Sequence, residues 1–266
     1  MNAAQSASTT QAARASRDAI LEVQHLSVRF GALVAVNDVS FVAERGHITS
    51  VIGPNGAGKS TLFNLISGAI RPSAGSVRFD GATVTGLSPH RLVGAGLSRS
   101  FQITNLFADL SVYENLRLAA QVLAPASLLA MPTRRSALAL QRVDELIAQF
   151  SLAANVHERA GALSHGQQRR LEIAVALACR PKMLLLDEPT QGMSHGDTEE
   201  IGALVKRLAG ELSILLVEHD VDLVMNLSDH VVVLNQGAML SEGTPQQVRA
   251  DPAVQAAYFG SGAPHA

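Results

Sequence analysis

The chain has 266 residues, which suits one domain or one domain with a subdomain, and 47% of them are hydrophobic, enough to form a sizeable core. Its formal net charge of −2 gives no electrostatic reason to expect binding to nucleic acid or to an anionic membrane. The single cysteine, Cys179, excludes an internal disulfide framework and fits a reducing compartment, so we interpret it as a small buried residue on a helix.

The two ends of the chain are predicted to be tails. Residues 1–18 are rich in Ala, Ser, Thr and Gln without an apolar core segment, which predicts a flexible tail rather than a signal peptide. We expect a single folded domain over residues 19–260, followed by a short tail at 261–266. Because the chain has no run of about 18 apolar residues, we expect no membrane-spanning helix.

The first folded region is predicted to be antiparallel. Residues 21–30 alternate between apolar and polar side chains, which indicates a half-buried strand ended by Gly31, and residues 34–42 indicate a second strand. Residues 76–84 have Asp-Gly at their centre, a strong hairpin signal. Phe30, beside Gly31, is either a candidate for stacking on an adenine ring or an ordinary strand aromatic.

A glycine-rich segment follows a β-branched run at residues 48–52, which predicts a buried strand, and precedes a helix predicted at 62–67. The segment reads Gly53, Pro54, Asn55, Gly56, Ala57, Gly58, Lys59, Ser60, Thr61. This arrangement is typical of a phosphate-binding P-loop, because glycines let backbone N–H groups turn toward phosphate oxygens at a helix N-terminus. In such a loop Lys59 contacts the β- and γ-phosphates and the Ser60 hydroxyl ligates Mg²⁺.

The next part of the sequence begins with a short predicted strand and continues with helical patterns. Residues 97–102 predict a short strand that ends in the polar Gln102, which is unremarkable by itself. Ser111 and Glu114 predict a capping box at the start of a helix. A second, amphipathic helix is indicated by apolar residues at three- and four-residue spacing: Leu140, Val143, Leu146, Ile147 and Phe150. We expect a helical subdomain at about residues 103–181, inserted in the nucleotide-binding core.

Ser164 predicts the N-cap of a further helix that Pro181 closes. Residues 163–167, Leu-Ser-His-Gly-Gln, are compatible with a simple cap. They are also compatible with a second anion site, because a hydroxyl, a glycine and free N–H groups meet at a helix N-terminus. A monomer with one P-loop has no obvious need for two such sites, so the residues alone leave both interpretations open.

Two carboxylates end a predicted central strand at residues 183–186, and parallel sheets bind their ligands at that edge. Asp187 can hold Mg²⁺ through its water shell, and Glu188 is placed to polarise an attacking water. Since successive side chains on an extended segment point in opposite directions, we expect Asp187 to serve the metal and Glu188 the water. His219 follows the next predicted strand, 31 positions after Glu188, a spacing that fits a βαβ crossover between neighbouring strands.

Five features in this order resemble an ABC-type ATPase subunit over about residues 21–260: the P-loop, Gln102, residues 163–167, residues 183–188 and His219. The resemblance implies an α/β fold: a P-loop NTPase (RecA-like) core with an N-terminal antiparallel β region and an inserted helical subdomain. It also implies ATP and Mg²⁺ as ligands. Two positions depart from the usual motifs of the family: His165 replaces the first glycine of the signature motif, and Ser194 replaces an aspartate in the loop after Pro189.

The resemblance assigns a role to each motif. Gln102 would touch Mg²⁺, together with Ser60 and Asp187, and sense the membrane partner. The signature residues Ser164, Gly166 and Gln167 would contact the γ-phosphate held by another subunit's P-loop. His219 would bridge the γ-phosphate and the catalytic water, which makes Glu188, His219 and Lys59 the expected catalytic residues, and Phe30 would stack on adenine.

More narrowly, residues 98–102, 164–174, 242–245 and 257–260 resemble the branched-chain amino acid (Liv-type) importer ATPases. The ATPases of urea and amide importers have much of the same sequence in these segments. The resemblance implies a peripheral ATPase at the cytoplasmic face of the inner membrane, with permease subunits and a second ATPase subunit, identical or paralogous, as partners. A solute-binding protein would act indirectly, and no nucleic acid is expected. The alternatives are a non-transport ABC ATPase of DNA repair or translation, and a plain P-loop kinase or switch, a class without the signature and switch histidine.

Overall fold

The computed structural model describes residues 18–100, 106–123 and 136–259. Within these ranges the strands are β1 (Ala19–Phe30), β2 (Leu33–Glu44), β3 (Ile48–Ile52), β4 (Ala74–Phe79), β5 (Ala82–Thr83), β6 (Leu97–Ser100), β7 (Met183–Asp187), β8 (Ser213–Val217), β9 (His230–Asn235) and β10 (Ala238–Gly243). The α-helices are α1 (Lys59–Ile66), α2 (Pro89–Ala95), α3 (Val112–Ala119), α4 (Ala137–Gln149), α5 (His165–Leu177), α6 (His195–Leu208), α7 (Val221–Leu227), α8 (Pro245–Ala250) and α9 (Pro252–Phe259).

The N-terminal region forms an antiparallel sheet in the order β2-β1-β4-β5. The alternating residues of β1 bury one face of this sheet, including Leu21 and Val23. Asp80 and Gly81 join β4 to β5, so the hairpin predicted there and the antiparallel arrangement are both confirmed.

The second sheet has the order β10-β9-β3-β8-β7-β6, in which only the edge strand β10 is antiparallel among the described strands. Every residue of β3, β7 and β8 is buried, as expected for parallel strands covered on both faces. Since β7 and β8 are neighbours, the predicted βαβ crossover is confirmed. The P-loop, Glu188 and His219 therefore leave the sheet at one common edge.

Two of the three hydrophobic clusters formed by the described residues lie on opposite faces of the parallel sheet. The N-terminal sheet and α1 share one core with Leu185 and Leu215. Helices α3, α4 and α5 share the other with Leu184 and Leu216, so the helical segment is packed directly on the strands that carry the carboxylates. The predicted capping box of Ser111 and Glu114 is present at the start of α3.

Cys179 lies in the turn after α5, which ends at Leu177, and is only partly buried. The expectation that it is buried on a helix is therefore wrong, because the helix stops before the segment that leads to Pro181. None of the helices in the described ranges is long and apolar enough to span a membrane.

Candidate functional site

The P-loop connects β3 to α1 and needs glycine at two positions for steric reasons. A Cβ atom on Gly53 would lie 2.3 Å from the carbonyl oxygen of Leu234, which leaves no room for a side chain. Gly58 has a φ of +98°, and a Cβ atom there would lie 2.6 Å from the carbonyl oxygen of Ala35. The loop is thus packed against both neighbouring sheets, and this fixes the direction of its backbone.

The turn between β9 and β10 holds the P-loop from the side. Gly237 N donates to Ala57 O at 3.0 Å, and Asn37 N donates to Gly237 O at 2.7 Å. A groove of about 560 Å³ opens beside this contact, a size that suits a small-molecule ligand. The groove is lined by Leu33, Val34, Ala35, residues 55–61, Glu188, Gln236 and Gly237.

The Lys59 ammonium group lies at the base of the P-loop. It donates to the carbonyl oxygens of Gly53, at 2.7 Å, and Pro54, at 3.2 Å. Burial lowers the pKa of Lys59, and the negative charges of Glu188 and Asp187 oppose that shift. The structure therefore brings the predicted P-loop cation and both predicted carboxylates into one electrostatic environment.

Asp187 ends β7 with a fully buried carboxylate. Its Oδ2 accepts a hydrogen bond from Arg99 Nη2 at 2.8 Å, whereas its Oδ1 has no hydrogen-bond partner in the part of the chain that is described. Arg99 also donates to Asn64 Oδ1 at 2.7 Å and to Ser67 Oγ at 2.8 Å. This arginine thus ties Asp187 to the helix of the P-loop, a role that the sequence analysis missed.

Glu188 follows β7 in a left-handed conformation with a φ of +45°. The expectation that it continues an extended segment is wrong, so the alternation of strand side chains does not reach it. Arg169 donates from Nη2 to Asp187 O at 2.8 Å and from Nε to Pro189 O at 3.0 Å, on either side of Glu188. Asp187 is nevertheless buried while Glu188 lines the groove, so the two carboxylates have different surroundings.

His219 lies just beyond β8, at the same edge of the sheet as Glu188, and its side chain is 57% exposed. Its Nδ1 is 3.5 Å from Oε2 of the preceding residue, Glu218. The imidazole is therefore accessible, as a group that acts on a bound ligand must be.

Ser164 is the N-cap of α5, as predicted. It forms a capping box with Gln167, whose backbone N–H donates to Ser164 Oγ at 3.3 Å, while Ser164 N donates to Gln167 Oε1 at 3.0 Å. Gly166 packs against α6, where a Cβ atom would lie 2.9 Å from Asp197 Oδ1. None of these three signature residues lines the P-loop groove in the described chain, so a second anion site stays a prediction.

The two residues that depart from the usual motifs have local roles. His165 borders a small pocket together with Glu188, Gln191 and Met193. Ser194 is the N-cap of α6, accepting from Asp197 N at 3.3 Å and donating to Asp197 Oδ2 at 2.7 Å. The hydroxyl of Ser194 is therefore used to cap α6.

Two further predicted residues lie at the margins of the site, and a third lies outside the residues that the structure describes. Phe30 is 48% exposed and pairs with the groove residue Leu33 across the turn between β1 and β2. Ser60 is exposed in the first turn of α1, while Gln102 lies outside the described residues. The described residues contain no cluster of three or more His, Cys, Asp or Glu that could hold a metal by itself.

Several residues that build the site have no recognisable motif in the sequence. Leu33, Val34 and Gln236 line the groove only because the two sheets meet there. Arg99 and Arg169 lie within stretches that were singled out, but single arginines beside a motif are usually solvated, and only their partners identify them here.

Comparisons with known proteins agree with this geometry. The family described as ABC transporter matches residues 36–191, and the family described as branched-chain amino acid ATP-binding cassette transporter matches residues 238–264. The high-affinity branched-chain amino acid transport ATP-binding protein BraF of Pseudomonas aeruginosa is 41% identical over 249 residues, which are 91% of this chain and 98% of that protein.

Two solved structures extend the comparison. A nucleotide-free ATP-binding cassette from an ABC transporter is 31% identical, with a TM-score of 0.81 over 91% of this chain and 100% of that chain. A dimeric ATP-binding cassette in a post-hydrolysis state with ADP and Pi is 26% identical, with a TM-score of 0.72 over 85% of this chain and 98% of that chain. The expected α/β fold with a P-loop NTPase core is confirmed.

Proposed function

We propose, from the premise that this chain belongs to the ABC transporter family of ATP-binding proteins, that it is the ATP-hydrolysing subunit of an importer for branched-chain amino acids. The observation that best supports ATP hydrolysis is that P-loop residues and Glu188 line the same groove. The substrate class is supported by the likeness to BraF and by the family match at residues 238–264.

In the proposed site the chain supplies one group for each part of ATP. Phe30 stacks on the adenine, and the backbone N–H groups of residues 53–61 surround the phosphates. Lys59 faces the β- and γ-phosphates. Glu188, which lines the groove, orients and polarises the attacking water, and His219 contacts the γ-phosphate from the end of the neighbouring strand.

Mg²⁺ is the metal that the donor set fits. Mg²⁺ prefers oxygen ligands and is usually held by one or two carboxylates together with phosphates and water. The Ser60 hydroxyl is such a donor, as is the buried Oδ1 of Asp187, which has no hydrogen-bond partner among the described residues, and Gln102 is assigned to the same site by resemblance. When bound, Mg²⁺ neutralises negative charge on the phosphates, which favours their transfer to water.

Two copies of the chain, or this chain and a paralogue, are proposed to bind two ATP molecules between them, head to tail. Ser164, Gly166 and Gln167 then face the γ-phosphate held by the partner's P-loop. A dimeric arrangement is supported by the dimeric structural relative. ATP binds the closed pair better than the open one and shifts the population toward closure.

The domain bounds, the location and the membrane partners of the chain are proposed together with this function. Residues 19–260 form one ATPase domain with a helical subdomain at about 103–181, and residues 1–18 and 261–266 are tails. The pair lies at the cytoplasmic face of the inner membrane as a peripheral subunit, bound to integral permease subunits. A solute-binding protein delivers the substrate to the permease and has no direct contact with this chain.

The hydrolytic site is tested by comparing Glu188→Gln with Asp187→Asn. Glu188→Gln keeps the shape of the side chain but loses its basicity, so ATP binding should survive while hydrolysis falls by at least about a hundredfold. That variant should accumulate as an ATP-bound dimer on size-exclusion chromatography. Asp187→Asn should instead weaken Mg²⁺-dependent binding and form no such dimer. Equal behaviour of the two variants would contradict the division of roles.

The transport function is tested by co-expression with permease subunits. The chain should co-purify with them, and its ATPase activity in proteoliposomes should rise with a binding protein loaded with leucine, isoleucine or valine. Stimulation by urea or short amides alone would favour the related importers. Failure to associate with any permease, with intact ATPase activity, would favour a non-transport ABC ATPase.

A further inference from the structure

Glu218 has a fully buried carboxylate between two loops of the proposed site. One loop follows Glu188, and the other carries His219. Its Oε1 accepts hydrogen bonds from Thr190 N at 3.0 Å and from Thr190 Oγ1 at 2.7 Å. Its Oε2 accepts from His219 N at 3.1 Å. One side chain therefore joins the segment after Glu188 to the segment that carries His219.

Among the described residues, the negative charge of the Glu218 carboxylate is compensated by groups of the two loops. Within the described ranges no lysine or arginine forms an ion pair with Glu218, and its one basic neighbour is His219, with Nδ1 at 3.5 Å from Oε2. Burying a carboxylate is costly unless hydrogen bonds compensate, and three of the donors that do so come from the two loops. Moving either loop would remove donors from a buried charge, so the two loops are held together.

The same carboxylate is placed to orient the imidazole of His219. Glu218 Oε2 lies 3.5 Å from Nδ1, so its negative charge attracts an N–H group on that nitrogen and favours one orientation of the ring. On the other loop, the bonds to Thr190 fix the turn that starts at Glu188, whose O accepts from Gln191 N at 3.2 Å.

We propose that Glu218 is a positioning residue for ATP hydrolysis that holds Glu188 and His219 in one arrangement, a role that rests on the proposed catalytic functions of those two residues. The Glu218 side chain is fully buried and is not part of the groove lining, so its proposed role involves no contact with ATP. It acts by fixing the backbone at Thr190 and the imidazole of His219 relative to each other. Its loss should therefore reduce the rate of the chemical step more than the affinity for ATP.

Glu218→Gln is the central test. It keeps the size of the side chain but removes the charge and places an NH₂ group against a backbone N–H group. We expect kcat to fall about 10- to 100-fold, with KM for ATP changed by less than about threefold, because a displaced catalytic group costs that much in rate. On a His219→Ala background the same change should cost clearly less than in the wild type, because the part of its effect that passes through His219 is already lost.

Thr190 provides the second variant. Thr190→Val removes only the hydroxyl donor and should lower kcat several-fold without a loss of ATP affinity, and Thr190→Ser should restore wild-type kcat. Asp229→Asn is the matched control, because Asp229 Oδ2 accepts from Ile48 N at 2.8 Å at the opposite edge of the sheet. This control should leave kcat unchanged.

Several outcomes would overturn the role of Glu218: wild-type kcat in Glu218→Gln, an equal change in KM and kcat, or full additivity with His219→Ala. If Glu218→Gln does not fold, wild-type kcat in Thr190→Val overturns the role and a selective loss supports it. Glu188→Gln is measured beside them. If it still hydrolyses ATP, the proposed catalytic site is wrong; if it is inactive while Glu218→Gln is fully active, only the role of Glu218 fails.

Discussion

Arg169 and Arg170 are neighbours on α5 that should differ sharply in their effect on stability. We expect Arg169→Ala to lower the free energy of unfolding by about 3–5 kcal/mol, and Arg170→Ala by less than about 1 kcal/mol. Both arginines pair with a glutamate. Their surroundings differ, because the side chains of Arg169 and Glu172 are 8% and 9% exposed, whereas those of Arg170 and Glu200 are 28% and 61% exposed.

The larger cost follows from the acceptors that Arg169 leaves behind. Its Nη1 donates to Glu172 Oε2 at 2.7 Å, and its other donors hold Asp187 O and Pro189 O. Truncation leaves the largely buried carboxylate of Glu172 and two carbonyl groups without these donors, and breaking a buried ion pair costs about 3–5 kcal/mol. Arg170 pairs near the surface, where water replaces the lost partner and such pairs contribute about 0–1 kcal/mol.

Equilibrium unfolding in urea, with the m-value compared between variants, measures both effects. Arg169→Lys is the control for charge, because an ammonium group keeps the charge but cannot reproduce the planar set of donors, and it should remain clearly destabilised. If the two alanine variants differ by less than about 1 kcal/mol, the buried contacts of Arg169 do not stabilise the fold as the structure indicates.

Three further variants test individual contacts. Lys59→Ala should abolish hydrolysis and strongly weaken nucleotide binding in a calorimetric titration, because it removes the cation at the phosphates; unchanged affinity and turnover would contradict the P-loop assignment. Phe30→Ala should weaken ATP and ADP binding equally, since stacking involves the base, and a loss restricted to ATP would refute it. Burial raises the pKa of Tyr258 from 10.0 to about 12, so the unfolded chain loses this proton first and stability falls as pH rises through that interval. Tyr258→Phe should reduce this fall in urea unfolding, and an unchanged pH dependence would exclude the effect.

The position of the catalytic edge was predictable because it follows from chain order. A strand followed by two carboxylates, one helix, and a strand followed by His219 usually have their ends side by side when the crossover is parallel, and β7 and β8 are neighbours. The P-loop was predictable for a similar reason, because its glycines and its helix are consecutive in sequence.

The lining of the groove could not be predicted in the same way. Gln236 and Gly237 reach the P-loop from a hairpin about 180 residues away in sequence, through the bond from Gly237 N to Ala57 O. The left-handed conformation of Glu188 also depends on distant partners, since Arg169 holds the peptide groups on either side of it. Such contacts are set by tertiary packing, which local patterns do not encode.

The contacts of Asp187 suggest how the two nucleotide sites of the proposed dimer would communicate. Arg99 holds the carboxylate of Asp187 and, through Asn64, the helix of the P-loop. Arg169 holds the carbonyl oxygen of the same residue from α5, five residues after the N-cap Ser164, which is about 7.5 Å along a helix. In the proposed dimer, a phosphate bound at Ser164 from the partner would act on a helix that Arg169 joins to the strand end bearing Glu188. Because buried hydrogen bonds make that joint, displacing α5 would displace the catalytic carboxylate of its own chain with it.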